Sequence, residues 1–330
     1  MLRLTLGKVL HQHFCEMPFR LVQIKAYHAA KLIKTLLPLP IMIYLILAII
    51  LSTAVFVVMR IFGRFNLDNH QALTWNYATS ACIGFAMSVS NGTWGSPTTQ
   101  PWFSLTLLLG FWFILTYVLI VESSQRSGVT ITSLSSKLSV VIPTLFGIIF
   151  LKETLGLMAG IGIVLALVAL FLVVGGKDKG TAKAEKKTLI LLLPVFIFFS
   201  TGIGDIMMKM TEQKNTSGDM IPMIAFIYFI SFLFGVILVA YDLIKKKSKW
   251  QWKSALGGLA LGTVNFFSTC CIYQAMRVFD NVVMFPVYNI GVVCLSALAG
   301  WLMFKEKLTW KNYLGLVIAI IAVILITVKL

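Results

Sequence analysis

The chain has 330 residues, 58% of them apolar and only 12% charged, with a formal charge of +16 and a mean hydropathy of +0.90. Such a composition leaves too little polar surface for a water-soluble globule of this length and places the chain in a bilayer. The basic excess is therefore not a nucleic-acid footprint: the lysines and arginines gather at the ends of apolar runs and in loops, where they orient a membrane protein.

Residues 1–41 carry Arg3, Lys8, Arg20, Lys25, Lys31 and Lys34 against a single acid, Glu16, and close with Pro38 and Pro40. Two readings fit this basic tail. It is a targeting or interfacial segment, or it is an upstream extension of a chain whose natural start is Met42; its lack of any partner in the repeat described below favours the second. Ten apolar runs follow, near 42 to 59, 71 to 90, 102 to 121, 128 to 151, 156 to 175, 188 to 209, 221 to 241, 254 to 275, 281 to 304 and 310 to 328. A crossing needs roughly 20 apolar residues. No run alternates at strand period, so the expected class is all-α, each helix satisfying its own backbone groups in lipid. Between the fifth and sixth runs, residues 176–187 form a lysine-rich polar linker, which divides the chain into 42–175 and 188–330.

The two parts repeat one another. Phe150-Leu-Lys-Glu-Thr-Leu-Gly and Met303-Phe-Lys-Glu-Lys-Leu-Thr place Lys152-Glu153 on Lys305-Glu306, and the same register sets Gly147 on Gly300 and Gly162 on Gly315. Upstream, Ser52-Thr53 matches Ser200-Thr201, and Tyr77 with Gly84 matches Tyr228 with Gly235. Five spans per copy is an odd number, so the second copy enters the membrane upside down relative to the first, the organisation of many transporters. Numbered from the first span, the odd loops hold sixteen basic residues and the even loops with the C-terminus hold five. The positive-inside rule then puts the odd loops in the cytoplasm.

Polar groups within apolar spans are costly and mark a pathway. Lys137 lies in mid-span within a hydroxyl-rich stretch that includes Ser133 and Ser136, where it would face an anionic group of a substrate. Asp205 sits well inside the sixth span and is the candidate for proton coupling or for the counter-ion of Lys137 across the two-fold axis, with an i, i+4 pair to Lys209 as the alternative. Asn76, Tyr77, Tyr228, Asn265, Tyr288 and Asn289 offer hydrogen bonds at membrane depth from both copies, as do Ser268 and Thr269, and Trp75, Trp112 and Phe266 are candidate walls. Gly156, Gly160 and Gly162, with Ser296 and Gly300, give small residues that allow close helix approach.

Other chemistries find no support. Cys15, Cys82, Cys270, Cys271 and Cys294 lack metal-type spacing, and His11, His13, His28 and His70 all precede the second span, so no metal or cofactor is expected. Gly202-Ile-Gly204 is not a dinucleotide fingerprint, and no phosphate-binding loop for ATP is present. An intramembrane enzyme lacks a nucleophile and base.

Two five-helix halves, each with a proline- or glycine-bearing fourth helix, a Lys-Glu at its exit and a Gly-rich last helix, resemble the EamA-like domains of the drug/metabolite transporter superfamily. The motif residues are Pro143, Gly147, Glu153 and Gly162 in the first half and Pro286, Gly300, Glu306 and Gly315 in the second. The resemblance implies a ten-helix secondary carrier with a central cavity, alternating access and small metabolites as cargo; Glu153 and Glu306 look like helix-end features of such domains. It also implies cytoplasmic termini, from which the loop charges depart.

The expected protein is thus a multi-pass inner-membrane permease for a small polar metabolite, anionic or zwitterionic on account of Lys137, driven by a proton or exchange gradient. An exporter of drug-like cations centred on Asp205 is the alternative. Its partners are the small-molecule substrate and membrane lipid, not nucleic acid, and it is a monomer or homodimer. A receptor-like or structural membrane protein would not need a buried lysine and duplicated polar groups.

Overall fold

A computed structural model describes residues 39–93, 97–150, 156–175, 184–215, 220–278, 281–306 and 308–327. The basic tail up to residue 38 and the Lys152-Glu153 pair lie outside these. The helices are α1 (Leu39–Arg64), α2 (Asn69–Ser90), α3 (Phe103–Arg126), α4 (Val129–Leu138), α5 (Val141–Phe150), α6 (Leu157–Gly175), α7 (Ala184–Gln213), α8 (Ile221–Ile244), α9 (Trp252–Val278), α10 (Asn281–Phe304) and α11 (Trp310–Thr327). Among the described residues there is no strand. The helical body that holds the cavity runs from Leu45 onward.

Among the described residues seven stretches are long and apolar enough to cross a membrane, on α1, α3, α4 with the start of α5, α7, α8, α9 and α10, and α6 and α11 contain shorter apolar stretches. The second expected span, α2, is more polar because Gln71, Thr74, Asn76, Ser80 and Ser88 all point inward and are buried. Its polarity belongs to the interior of the bundle.

The fourth run, expected as one helix over 128 to 151, is broken into α4 and α5 at Ser139 and Val140. Pro143 explains the break: it has no N–H to give to the Ser139 carbonyl four residues back, and its ring crowds that oxygen. The Ser139 carbonyl accepts instead from Ile142 N at 2.9 Å, and Ser139 Oγ donates to the Ser136 carbonyl at 2.5 Å. The seventh helix begins at Ala184, so the end of the expected linker is already helical.

The inversion of the repeats is visible in which helix ends meet. The start of α2 meets the end of its counterpart α8, where His70 Nδ1 lies 2.5 Å from Asp242 Oδ2. Likewise the start of α4 meets the end of its counterpart α10, where Val129 N donates to Glu306 Oε1 at 2.7 Å. Corresponding spans therefore run antiparallel. Three same-span pairs, α2 with α8, α4 with α10 and α6 with α11, pack across the seam between the copies. The closest approach is that of α9 to α2: a Cβ on Gly258 would stand 2.3 Å from the Ala72 carbonyl oxygen, and one on Gly262 2.4 Å from that of Asn76. Only glycine permits it. One face of the bundle collects the ends of α1, α3, α8 and α10, with Arg64, Arg126, Lys245, Lys246, Lys247 and Lys305. It is called the basic face below.

Candidate functional site

A cavity of about 270 Å3 lies at the seam, lined by α1, α3, α4, α7, α8, α9 and α10. Its polar wall is built around Lys137, the last residue but one of α4. Because the helix stops beside it, Lys137 does not run on into apolar packing, and its ammonium reaches across to the second repeat. Nζ donates to Tyr288 Oη at 3.2 Å and stands 4.3 Å from the centre of the Tyr288 ring. The Tyr288 hydroxyl is 2.8 Å from Ser52 Oγ, which is 2.7 Å from Ser268 Oγ. Hydrogen bonds thus tie α4, α10, α1 and α9 to one another around the cation. A cation held by a ring face and a hydroxyl keeps its remaining N–H donors for a ligand.

Asp205 enters the same cavity from α7 and is exposed within it. The nearest donor is Ser139 Oγ at 3.5 Å, at the α4–α5 break. Among the described residues the ion pairs are His70 with Asp242 and Glu122 with Arg126, so Lys137 and Asp205 share the cavity without closing on one another. A cation and an anion separated across an open volume offer complementary ends to a ligand.

The rest of the wall is hydroxyl and amide. Thr116 Oγ1 lies 2.5 Å from Ser200 Oγ, Tyr117 Oη donates to Asn265 Oδ1 at 2.9 Å, and Tyr228 Oη is 2.8 Å from Thr269 Oγ1. Of the residues singled out in the sequence for their polarity, Lys137, Ser136, Tyr228, Asn265, Ser268, Thr269, Tyr288 and Asp205 line the cavity. Four stand behind it. Asn76 accepts from Asn265 Nδ2 at 3.3 Å and supports it from the rear. Tyr77 is fully buried, its ring centre 5.5 Å from that of Tyr117 and 5.9 Å from that of Tyr228. Ser133 is buried a turn nearer the basic face and donates to the Thr130 carbonyl at 3.1 Å. Asn289 follows Tyr288 on a helix that turns about 100° per residue, so it faces a small apolar recess behind Lys137.

The candidate aromatic walls are placed elsewhere too. Trp112 donates Nε1 to the Ser200 carbonyl at 2.7 Å, Trp75 packs edge-on to Trp250, and Phe266 is buried against the α2 position of Gly84. Thr116 and Tyr117 carry no sequence signal. Ser52 and Ser200 do: the Ser-Thr dipeptide shared by the first span of each copy puts a hydroxyl from α1 and one from α7 on the cavity.

Toward the basic face the cavity ends on apolar Met59 and Ile120, and polar contacts seal what lies beyond. Arg60 Nη1 donates to the Ser124 carbonyl at 2.7 Å, Gln125 Nε2 donates to Asn69 Oδ1 at 2.9 Å, and Gln71 bridges the Lys249 carbonyl and Gln251 N at 2.8 and 2.9 Å. The cavity extends the other way, along α7 to Met208 and to Ile224 near the start of α8.

Comparison with known proteins agrees with this architecture. The sequence profile described as the EamA-like transporter family matches residues 39–175 and again 188–328. An uncharacterized protein of Haemophilus influenzae is 29% identical over 289 residues, which are 84% of this chain and 95% of that protein. One solved crystal structure matches with a TM-score of 0.56 and 12% identity, over 87% of this chain and 96% of that one. At that identity the likeness is one of fold alone.

Proposed function

This chain belongs to the EamA-like transporter family, of the drug/metabolite transporter superfamily, and on that premise we propose that it is a secondary carrier for a small zwitterionic or anionic metabolite. The observation that supports this most is the pairing of opposite charges on one cavity: Lys137 from the first repeat and Asp205 from the second, each facing the open volume. Lys137 takes the anionic group of the cargo, with the Tyr288 hydroxyl and Ser136 beside it. Asp205 takes a cationic group or carries the coupling proton in exchange for the cargo. Tyr228 and Asn265 bind the polar middle of the cargo, while Asn76, Tyr77, Ser133 and Asn289 hold the lining residues in place. The inverted repeats rock about the seam, so that the cavity opens to one side of the membrane and then the other. As a multi-pass protein of this kind it works in the cell's inner membrane, and it is not an enzyme.

The test is uptake into proteoliposomes of labelled amino acids, organic acids and phosphorylated metabolites. At least one should equilibrate faster than in empty vesicles, and Lys137→Ala and Lys137→Met should abolish that uptake while the protein stays folded. Uptake of none of them would end the carrier reading. A second reading, export of drug-like cations, is favoured by the exposure of Asp205 in the cavity. It requires Asp205→Asn to abolish transport and Lys137→Met to spare it.

A further inference from the structure

Beyond the end of α10 the chain turns back on itself in a left-handed closure of the kind common at helix C-termini. Lys305, not a glycine, adopts a left-handed backbone with φ 52°, and Glu306 N returns to the Gly300 carbonyl at 3.0 Å. The turn swings the Glu306 side chain off the second repeat and onto the first. There Oε1 accepts from Val129 N at 2.7 Å, and Oε2 accepts from Thr130 N at 3.3 Å and from Thr130 Oγ1 at 2.9 Å. A carboxylate on the first N–H groups of a helix satisfies donors that have no partner within the helix and meets the positive end of the helix dipole. Space for it is reserved on both sides. A Cβ on Gly128, at φ 99°, would stand 2.7 Å from Oε1, and a Cβ on Gly300 would stand 2.5 Å from Oε2. Arg60 adds a favourable electrostatic contact from α1.

We propose that Glu306 is a releasable clamp, which holds the basic face shut by fastening the end of α10 to the start of α4 and lets go when the cavity opens to that face. The proposal rests on the alternating-access reading above. Several features separate this from a static helix cap. The carboxylate is supplied by the opposite repeat, so the contact crosses the seam along which the halves must part. Glu306 is only half-buried, so water can replace its three bonds when it leaves. The helix it caps is the short α4, which carries Lys137 into the cavity and is already severed from α5. By contrast α2 and α9 pack backbone to backbone at Gly258 and Gly262, a contact with no charged group in it. In the identified family motif the Lys-Glu pair looked like a helix-end feature only; the cross-repeat geometry makes Glu306 a positioning residue for transport.

The experiment reads access to the cavity floor, not transport, so its failure is distinguishable from failure of the carrier reading. In the full chain with its five cysteines replaced by alanine, a reporter Met59→Cys is exposed to a membrane-impermeant maleimide from each side of proteoliposomes in turn. Met59 is fully buried. With Glu306→Ala, labelling from the basic-face side should accelerate roughly tenfold or more, as expected for loss of charge-assisted bonds that favour one conformation. Glu306→Gln, which keeps the shape without the charge, should fall between. A second reporter, Ala322→Cys, is buried between α11 and its neighbours away from this face and should remain protected in all variants. Unchanged labelling of Met59→Cys in both variants, or equal acceleration at Ala322→Cys, would overturn the clamp.

Discussion

Lys137 and Tyr288 come from opposite repeats and meet on the cavity wall, the ammonium 3.2 Å from the hydroxyl and 4.3 Å from the centre of the ring. The hydroxyl holds the cation in place and also reaches Ser52 at 2.8 Å. Tyr288→Phe keeps the ring and removes only the anchor. It is expected to lower substrate uptake about tenfold, by the ~1 to 2 kcal/mol that one hydrogen bond to a charged group contributes, with little change in melting temperature. Initial-rate uptake measurements check this. Undiminished uptake would mean that the ring alone places the lysine.

Asp205 is the proposed coupling carboxylate, and its role separates two modes of transport. Asp205→Asn retains the shape and loses the acid. Accumulation driven by an imposed proton gradient should disappear, while exchange of internal for external substrate at equal pH should persist. If gradient-driven accumulation survives in the variant, coupling resides elsewhere.

Pro143 breaks the fourth span beside Lys137. Pro143→Ala supplies the missing N–H and lets the helix run through, so thermal stability should stay level or rise by about 1 kcal/mol while transport falls. Measuring both in the same detergent-purified protein gives the answer. A variant that transports normally would show that the break does not position the lysine.

Gly262 touches the backbone of α2 with no room for a side chain, a Cβ there lying 2.4 Å from the Asn76 carbonyl oxygen. Gly262→Val should push α9 and α2 apart and destabilise the protein by roughly 2 to 4 kcal/mol, the scale of a badly overpacked interior. Yield and thermal unfolding report it, and a normal melting curve would contradict the packing described.

The loops make a topological prediction. Lys247, in the α8–α9 turn on the basic face, and Gly92, beyond the end of α2, should lie in opposite compartments. Single cysteines at the two positions, probed with an impermeant reagent on intact cells, should give labelling at Gly92→Cys alone if the basic face is cytoplasmic. The reverse pattern would turn the protein over.

Most of the architecture could be read from the chain because lipid imposes it: apolar runs of crossing length must be helices, and an odd repeat must invert. Those rules gave the spans and the inverted halves, and they also pointed to Lys137 and Asp205, since a charge in a span is rarely idle. What escaped them depends on side-chain direction. Tyr288 and Asn289 are adjacent in sequence and indistinguishable as polar residues in a span, yet only the first faces the cavity. Thr116 and Tyr117 belong to the wall without any mark in the sequence, because hydroxyls in spans are common as interhelical contacts. The break after α4 was encoded in Pro143, but proline is also tolerated in unbroken membrane helices. Glu306 shows the opposite lesson: the repeat drew attention to the residue, and only the fold revealed that its partner is α4 of the other half.

The scaffold is nearly symmetric, but its two principal charges are not duplicated: at the repeat register Lys137 falls on Ile290, and Asp205, at the offset of the Ser-Thr match, on Val57. Rotating one half onto the other therefore does not return the same binding site. In the proposed carrier the two facings present the cargo with rotated walls but a single, fixed electric polarity, so they are not energetically degenerate. The proposed carrier therefore takes cargo with a different apparent affinity at each facing, while inward and outward fluxes stay equal until a gradient acts on it.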